Sequence, residues 1–345
     1  MVVEQVKTGK APSITLEADI LCCPKCKGTL EHDQDSFRCL SCRQLYPTVD
    51  NIPQLFWDTE WGESKRDVTE SMKAFYEMYP FPNYDDFDNA GVLIEKARKR
   101  VFAKMLDDQI PFGTRIIDCG CGTGQLTNFL SIAGRIVIGV DMCMNSLRMA
   151  QDFKERNDLK RAHFFQMNLF RPCFRPGRFD LVISNGVLHH TADPFLAFRT
   201  ISTLVKPKGY ILIGLYHKYA RLSTDIRRSL LRLTRDRLNL DERMTENISD
   251  ARKRSWYMDQ YKNPHESKHT ISEVLGWLQQ TGFTFIKSIP KTVPFESFSE
   301  SEKLFVPDEH GGWLTRWIVE LGMALTAGRD GGLFIVIARK TVLRS

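Results

Sequence analysis

The sequence predicts an α/β protein built on a doubly wound, mostly parallel sheet, with a small metal-binding segment ahead of it. Apolar runs of strand length alternate with helical periodicities from residue 115 to residue 216. Such alternation builds a parallel sheet with helices on both faces. A glycine-rich turn follows the first of these runs, and paired cysteines lie near the N-terminus. We therefore expect one large α/β domain and one small domain stapled by a metal.

Composition agrees with an ordinary globular chain. At 345 residues, of which 42% are hydrophobic and 26% charged, the chain is long enough for a large and a small domain. A net charge of +6 permits nucleic acid or anionic substrates but argues for neither by itself. No apolar run reaches transmembrane length, and residues 1–19 lack the charged-then-apolar order of a secretory signal. We therefore expect a cytoplasmic protein in which residues 1–19 form a flexible tail.

Two Cys-x-x-Cys pairs, Cys23 with Cys26 and Cys39 with Cys42, lie twelve residues apart. Each pair can aim two thiolates at one ion, which favours a tetrahedral zinc site over a redox pair or disulfides. Cys22 competes with Cys23, which we prefer because only Cys23 has the two-residue spacing. Four thiolates leave no open coordination position, so the zinc is expected to be structural and to supply folding energy to a segment with little core.

The wider string around these cysteines, from Ile20 to Leu30 and from Gln44 to Pro53, resembles a known module. It is similar to the zinc ribbon that also occurs as an activating subunit of eukaryotic tRNA and protein methyltransferases. The resemblance covers residues 20–57. It implies a short β ribbon and does not name a substrate.

Residues 58–110 are expected to form a linker and an N-terminal helical segment. The linker is dense in apolar and aromatic residues, namely Phe75, Met78, Tyr79, Phe81, Tyr84 and Phe87. Pro80 and Pro82 end any helix that starts near Asp67. Two interpretations stay open: the segment packs onto the large domain, or it forms a lid over a ligand pocket. A helix with a basic polar side is predicted over Val92–Leu106.

The large domain is assigned to residues 111–345. Its strands are expected at 115–118, 136–140, 163–167, 179–184, 210–216, 283–289 and 332–339. Helices are expected near 125–133, 145–155, 193–204, 270–280 and 313–325. Lys206-Pro-Lys-Gly209 reads as a turn. Thr270 and Glu273 form a capping box that starts one helix, and Gly282 ends it. Insertions are expected at 217–269 and 291–328.

The glycine-rich turn carries the main functional signal. Asp118 ends the first strand and is followed by Gly120, Gly122 and Gly124, which allow bare backbone to approach a ligand. Asp141 ends the second strand, where a βαβ nucleotide site needs a carboxylate for two ribose hydroxyls. Asp118 would oppose a phosphate but could receive a cationic amino group. The pattern therefore favours a nucleoside joined to a zwitterion over a dinucleotide, or else a turn that binds nothing.

This motif resembles that of the class I S-adenosylmethionine-dependent methyltransferases, from about residue 100 to the C-terminus. The resemblance implies a seven-stranded, Rossmann-like sheet whose final strand runs antiparallel. It implies a cofactor site formed by Asp118, Gly120, Cys121, Gly122, Gly124, Asp141, Met142, Asn168, Leu169, Asn185 and Gly186. Asn168 departs from the family, which usually has an acid there, so its contact with adenine is open.

The segment from Phe179 to His190 also resembles this family. His189 and His190 follow a strand at the edge where open α/β sheets place their ligands. Either histidine could act as a general base, or one could pack and orient the loop. Tyr216, at the end of the fifth strand, and His265, in the insertion, are the other catalytic candidates. Further acceptor contacts are expected from His217, Asp259, Tyr261 and Glu266.

The insertion at 217–269 contains two patterns that need interpretation. Leu222, Ile226, Leu230 and Leu233 recur at helical spacing, with Arg227, Arg228, Arg232 and Arg235 on other sides. This predicts either an amphipathic helix that caps the domain or a basic arm for RNA or a membrane surface. His265-Glu-Ser-Lys-His269 spells a zinc-protease pattern, which we reject because Pro264 and the capping box place both histidines ahead of the helix.

The leading hypothesis is methyl transfer from S-adenosylmethionine, by direct displacement, to an oxygen, nitrogen or carbon atom of a small metabolite or biosynthetic intermediate. An RNA methyltransferase, acting on tRNA, is the alternative, because of the ribbon resemblance, the positive charge and the arginine-rich insertion. A second alternative is a non-catalytic protein that binds S-adenosylmethionine and activates a partner. The acceptor and the oligomeric state are not decided by the sequence.

Overall fold

The computed structural model describes residues 18–33, 35–61, 68–81, 89–235, 249–296, 298–326 and 332–342. The ribbon comprises β1 (Leu30–Asp33), β2 (Ser36–Cys39), β3 (Leu45–Val49) and β4 (Ile52–Pro53). The connecting helices are α1 (Thr69–Met78), α2 (Ala90–Arg98) and α3 (Val101–Gln109). The large domain begins with β5 (Arg115–Cys119), α4 (Gln125–Ile132), β6 (Ile136–Asp141), α5 (Met144–Arg156), β7 (Ala162–Gln166), β8 (Phe179–Asn185) and α6 (Pro194–Ser202). It continues with β9 (Val205–Tyr216), α7 (Leu222–Leu233), α8 (Asp250–Tyr257), α9 (Ile271–Thr281), β10 (Phe283–Ile289), α10 (Trp313–Thr326) and β11 (Leu333–Lys340).

The predicted fold is confirmed. A seven-stranded sheet runs in the order β10-β11-β9-β8-β5-β6-β7, with β5 to β9 parallel and β11 antiparallel to both of its neighbours. The ribbon forms a separate sheet in the order β1-β2-β3-β4. Because parallel strands end at the same edge, the loops after β5, β6, β8 and β9 meet there.

Helices cover both faces of the large sheet. One face packs against α2, α3 and α4 through side chains that include Leu106, Phe129 and Ile337. The opposite face packs against α6 and α9 through Phe198 and Trp277. The central strands are buried on both sides, which is why their sequences are continuous apolar runs rather than alternating ones.

The capping box is confirmed, whereas two other local predictions were wrong. The Thr270 hydroxyl accepts from the Glu273 backbone N–H, and Gly282 ends α9 in the left-handed conformation. The single helix predicted over 92–106 is two helices, because Arg100 is extended and Arg98 folds back to bond Asp108 of α3. The turn predicted at 206–209 lies within β9 as an irregularity, where pairing with β8 skips from Val205 to Tyr210.

Helix α7 is amphipathic, but its apolar stripe does not face the domain. Leu222, Ile226 and Leu233 are 48%, 62% and 81% exposed. Arg221, immediately before the helix, and Arg228 point inward, because both pair with the buried carboxylate of Glu266. Capping by the predicted stripe is therefore wrong. Tyr84 and Phe87 of the linker lie outside the described residues.

The ribbon is docked onto the open edge of the large sheet. The Cys22 N–H donates to the Cys173 carbonyl at 2.8 Å, and Gln54 forms a parallel bridge with Gln166 at the end of β7. Ile52 is fully buried in a cluster with Phe164. The ribbon thereby covers an edge strand that would otherwise expose unpaired backbone groups.

None of the helices in the described ranges combines the length and the apolar character needed to cross a bilayer.

Candidate active site

The turn after β5 brings bare backbone to the edge of the sheet. Gly120 and Gly124 have φ values of 79° and 72°, a region that glycine adopts without strain. A Cβ on Gly120 would lie 2.4 Å from a Val187 methyl carbon, and one on Gly124 would lie 2.6 Å from the Ala150 Cβ. Side chains are therefore excluded at both positions. The side chains packed against the turn hold its backbone in place.

The two carboxylates expected at this edge are both present. Burial raises the pKa of Asp118 to about 7, opposed by the hydrogen bond that Thr127 donates at 2.8 Å. Burial also raises the pKa of Asp141, which accepts from the Gly122 and Cys143 N–H groups, each at 2.9 Å. A cationic ligand would favour the ionised form of both acids. The pair is therefore electrostatically suited to a positively charged molecule.

A cavity of about 1280 Å³ opens from the turn. The expected cofactor residues that line it are Asp118, Gly120, Cys121, Gly122, Asp141, Met142, Asn168, Leu169, Asn185 and Gly186. Gly124 does not line the cavity and directly precedes α4. Backbone without Cβ atoms, two carboxylates and apolar walls match the chemistry of an amino acid joined to a nucleoside, so the residues fit S-adenosylmethionine.

Asn168 has a second role that its sequence position did not reveal. Its amide nitrogen donates to the Trp57 carbonyl at 2.9 Å and to the Thr59 hydroxyl at 3.1 Å. Its amide oxygen accepts from the Phe170 N–H at 3.0 Å. The side chain therefore ties the chain leaving the ribbon to the loop after β7, at the wall of the cavity.

A polar cluster lines the same cavity at the ends of β8 and β9. It consists of Tyr76, His190, Tyr216, Asp259 and Gln260. The Tyr76 hydroxyl donates to Asp259 at 2.8 Å. The Gln260 amide donates to the Asp259 carboxylate at 2.9 Å and to the Tyr216 hydroxyl at 2.7 Å. Burial, reinforced by the Asp259 charge, raises the pKa of both phenols, so Tyr76 and Tyr216 keep their protons.

His190 is the histidine that faces this cluster. Its Nδ1 lies 2.8 Å from the His265 carbonyl oxygen, which can only accept, so Nδ1 carries the proton. Burial lowers the pKa of His190. The ring is therefore neutral near pH 7, and Nε2 is the nitrogen that can take up a proton.

The structure separates the four catalytic candidates. His190 and Tyr216 line the cavity, whereas His189 and His265 do not. His189 is completely buried against the Tyr216 ring, with centroids 4.1 Å apart, and its Nδ1 accepts from the Tyr216 N–H at 3.3 Å. His265 acts on His190 through its backbone carbonyl, and its own ring contacts the Thr191 carbonyl.

The other expected acceptor contacts divide in the same way. Asp259 lines the cavity. His217 and Tyr261 are buried away from it, and Glu266 lies behind it, paired with Arg221 and Arg228.

Three residues of the site were missed by sequence reasoning. Tyr76 belongs to the linker, whose many aromatic residues indicated that the segment packs or forms a lid but did not single out Tyr76. Gln260 lies between the expected contacts Asp259 and Tyr261 but was not itself singled out, and Arg221 gave no signal. The Arg221 guanidinium stacks 3.7 Å from the Tyr216 ring centroid and donates to Gln260 at 2.6 Å. Arg221 and Glu266 therefore hold Gln260 between Tyr216 and Asp259.

The four ribbon cysteines converge on one point. The ligand atoms of Cys23, Cys26, Cys39 and Cys42 all lie within 4.8 Å of one another. Two of the sulfur pairs are separated by 3.7 Å and 3.4 Å. Tetrahedral zinc with Zn–S bonds of about 2.3 Å places its sulfurs about 3.8 Å apart. The donor set therefore fits zinc, and the Tyr46 hydroxyl, 3.1 Å from the Cys23 sulfur, can donate to that thiolate.

The His265–His269 segment does not have protease geometry. Residues 265–268 are not helical and His269 forms a bridge with His217, while α9 begins only at Ile271. The His269 ring bonds Ser267 and Glu273. The two histidines therefore point to separate partners.

Part of the chain is similar in sequence to known proteins. Residues 117–213 match the methyltransferase domain family. The chain is 24% identical over 248 residues to an uncharacterized protein of Synechococcus sp., which covers 64% of this chain and 60% of that protein. It is 33% identical over 110 residues to a ubiquinone biosynthesis O-methyltransferase of Ralstonia nicotianae, which covers 32% of this chain and 46% of that enzyme. The chain thus spans about half the length of the curated relatives it matches.

Among solved structures, the chain is similar to an S-adenosylmethionine-dependent methyltransferase from Mesorhizobium loti. The TM-score is 0.44 at 18% identity, with coverage of 71% of this chain and all of that one.

Proposed function

We propose that this chain transfers a methyl group from S-adenosylmethionine to a small-molecule acceptor, because residues 117–213 match the methyltransferase domain family. The observation that carries the proposal is that one cavity joins the glycine turn and its two carboxylates to the polar cluster around His190. A cofactor end and an acceptor end therefore open into the same space. We favour an oxygen acceptor, because a hydroxyl group must lose its proton during methylation and His190 can take up that proton.

S-adenosylmethionine supplies a methyl group on a positively charged sulfur, which is a good neutral leaving group once the methyl has moved. Asp141 would hold the ribose hydroxyls, and Asp118 would face the amino group. Met142 and Leu169 would contact the adenine, and Asn185 with Gly186 would support the amino acid part. These residues orient and exclude water rather than react, since alignment of the two partners supplies much of the rate.

At the acceptor end His190 would take the acceptor proton on Nε2. A neutral histidine with its Nδ1–H fixed by a carbonyl is the state in which a base is ready to act. The Tyr216 hydroxyl accepts from Gln260, so its own proton is available for the acceptor. Asp259 and Tyr76 would fix the remaining polar atoms of the acceptor.

We also propose a role for each segment of the chain. Residues 20–57 would form a structural zinc ribbon held by Cys23, Cys26, Cys39 and Cys42, and residues 58–110 would form the connecting helices and a lid. Residues 111–345 would form the methyltransferase domain, which acts in the cytoplasm. Tyr76 and Met72 of α1 line the cavity, which supports the lid assignment.

Calorimetry with S-adenosylhomocysteine tests the cofactor end. Asp141→Ala should weaken binding about 100-fold, because two hydrogen bonds to a charged group are lost. Asp152→Ala, which removes an exposed carboxylate paired with Arg156 on α5, is the matched control and should bind like the parent. Absence of binding to the parent protein, or equal binding by both variants, would overturn the proposal.

Labelled S-adenosylmethionine with size-fractionated extract then tests the acceptor. Label in the small-molecule fraction supports the proposal, and label in nuclease-sensitive material would replace it with RNA methylation. RNA binding would also weaken steeply with salt. The inward orientation of Arg228 removes one of the four arginines of the predicted basic arm.

A further inference from the structure

The cavity continues beyond the polar cluster into an apolar arm. Its walls are Phe102, Leu106, Phe129, Ile289, Leu333 and Ile335. We propose that this arm receives a long hydrocarbon tail carried by the methyl acceptor. The inference rests on the proposed function, since it assigns the substrate class of the same site.

The floor of the arm is a direct continuation of the acceptor end. Leu333 pairs with Tyr216, Ile335 pairs with Gly214, and Ile289 pairs with Ile335 across the antiparallel strands. Residues paired across strands share a face of the sheet. A molecule whose polar atom lies at Tyr216 can therefore extend over β11 toward β10 without leaving the cavity.

The roof is supplied by the helices that precede the large domain. Phe102 and Leu106 line the arm from α3, and Phe129 lines it from α4. Leu106 and Phe129 belong to the buried cluster on this face of the sheet. The walls therefore offer little to a polar ligand, which would lose its hydration without gaining hydrogen bonds.

The cavity has an outlet to the surface. Its volume of about 1280 Å³ is shared by S-adenosylmethionine and the acceptor, and it exceeds the range of about 300–1,000 Å³ that is usual for a single small ligand. The exposed Lys99 and Arg100 also belong to its lining, so the cavity reaches the surface between α2 and α3. A tail longer than the arm could leave by that route.

The test uses para-ethylphenol, para-butylphenol and para-octylphenol as probes. They are titrated by calorimetry into protein saturated with S-adenosylhomocysteine, so no turnover is needed. We expect affinity to rise about 2- to 4-fold for each added methylene group, as burial of hydrocarbon predicts. Equal affinity for the three probes, or no binding by the longest one, would overturn the proposal.

Ala103→Trp, which fills the roof of the arm, should abolish the dependence on tail length while S-adenosylhomocysteine binds normally. Ala133→Trp, at an exposed position after α4, is the matched control and should keep the dependence. If Ala103→Trp does not fold, Leu333→Phe provides a smaller obstruction of the floor. An undiminished length dependence in the obstructed variant would place the tail elsewhere and overturn the proposal.

The two proposals fail in different ways. Loss of S-adenosylhomocysteine binding in the parent protein would overturn the proposed function. Intact binding without dependence on tail length would overturn only the apolar arm.

Discussion

The two ends of the cavity are built in different ways. The cofactor end comes largely from one strand-turn-helix segment, Asp118 to Gly124, and from Asp141 at the end of the next strand. The acceptor end combines Tyr76 from α1, His190 from the turn after β8, and Asp259 from the insertion. The Tyr76–Asp259 hydrogen bond joins residues 183 positions apart. The cofactor end is thus encoded locally, while the acceptor end exists only after folding.

This difference would allow the same sheet to be combined with different acceptor ends. The glycine turn depends on backbone conformation, which neighbouring residues dictate. The acceptor end depends on loops and insertions that can change without disturbing the strands. If the two ends are independent, a change at one end should leave the other intact.

The largest effect is expected from loss of the zinc that we propose for the four ribbon cysteines. Structural zinc contributes about 10–16 kcal/mol of apparent binding free energy in small modules, so Cys39→Ser or chelation should unfold the ribbon. Trp57 and Thr59 would then release Asn168, and affinity for S-adenosylhomocysteine should fall about tenfold. Zinc content, circular dichroism and calorimetry measure the three consequences.

Glu31→Gln, an exposed change on β1, controls for mutation of the ribbon. Unchanged cofactor affinity in zinc-free protein would show that the cofactor end stands without the ribbon, which would sharpen the contrast between the two ends.

A large effect confined to the acceptor end is expected from His190→Ala. Loss of a general base lowers kcat by about 10²–10⁴-fold, while the Kd for S-adenosylhomocysteine should stay within about twofold. His310→Ala, on an exposed histidine far along the chain, should change neither quantity. A normal kcat in His190→Ala would remove the base from the mechanism.

A moderate effect is expected from Tyr76→Phe. The hydroxyl that donates to Asp259 at 2.8 Å is lost, and a hydrogen bond to a charged group contributes about 1.5–3 kcal/mol. The KM for the acceptor should therefore rise at least about tenfold with little change in cofactor affinity. Tyr79→Phe, just after the same helix, is the matched control, and an equal effect there would argue for general disturbance of α1.

The smallest effect is expected from mild acidification. Burial lowers the pKa of His190 below its usual 6.5, and the neutral ring is the active form. Activity should therefore persist as pH falls to 6.5, with less than half of it lost there, and should decline only as pH passes through the lowered pKa. The profile is measured at saturating S-adenosylmethionine, whose positive charge keeps Asp118 ionised. An acid limb of kcat centred above pH 6.5 under those conditions would contradict a buried neutral base.

Much of the fold could be predicted because its signals are local. The capping box of Thr270 and the glycine turn each depend on a few adjacent residues, and both were located correctly. No glycine or proline in the sequence marks the break between α2 and α3 at Arg100. The extended backbone at Arg100 lets Arg98 bond Asp108 of α3, a contact that only the folded chain makes.

The residues of the candidate site also divide into those that the sequence could place and those that it could not. His189 and His190 are adjacent and chemically identical, so their sequence cannot rank them. The His189 ring is buried against the Tyr216 ring. The His190 ring lies on the cavity wall, where its Nδ1 bonds the His265 carbonyl. The orientation of α7 was likewise mispredicted, because the buried carboxylate of Glu266 draws arginines inward and overrides the apolar stripe.

By itself the sequence determined the α/β sheet, the convergence of four cysteines and the position of the glycine turn, because backbone conformation and periodicity act over short stretches of chain. The tertiary structure alone decided which histidine faces the cavity, which arginines are buried and where the apolar arm runs. Those features are contacts between segments far apart in the chain, and their energies depend on burial and distance that arise only when the segments pack together.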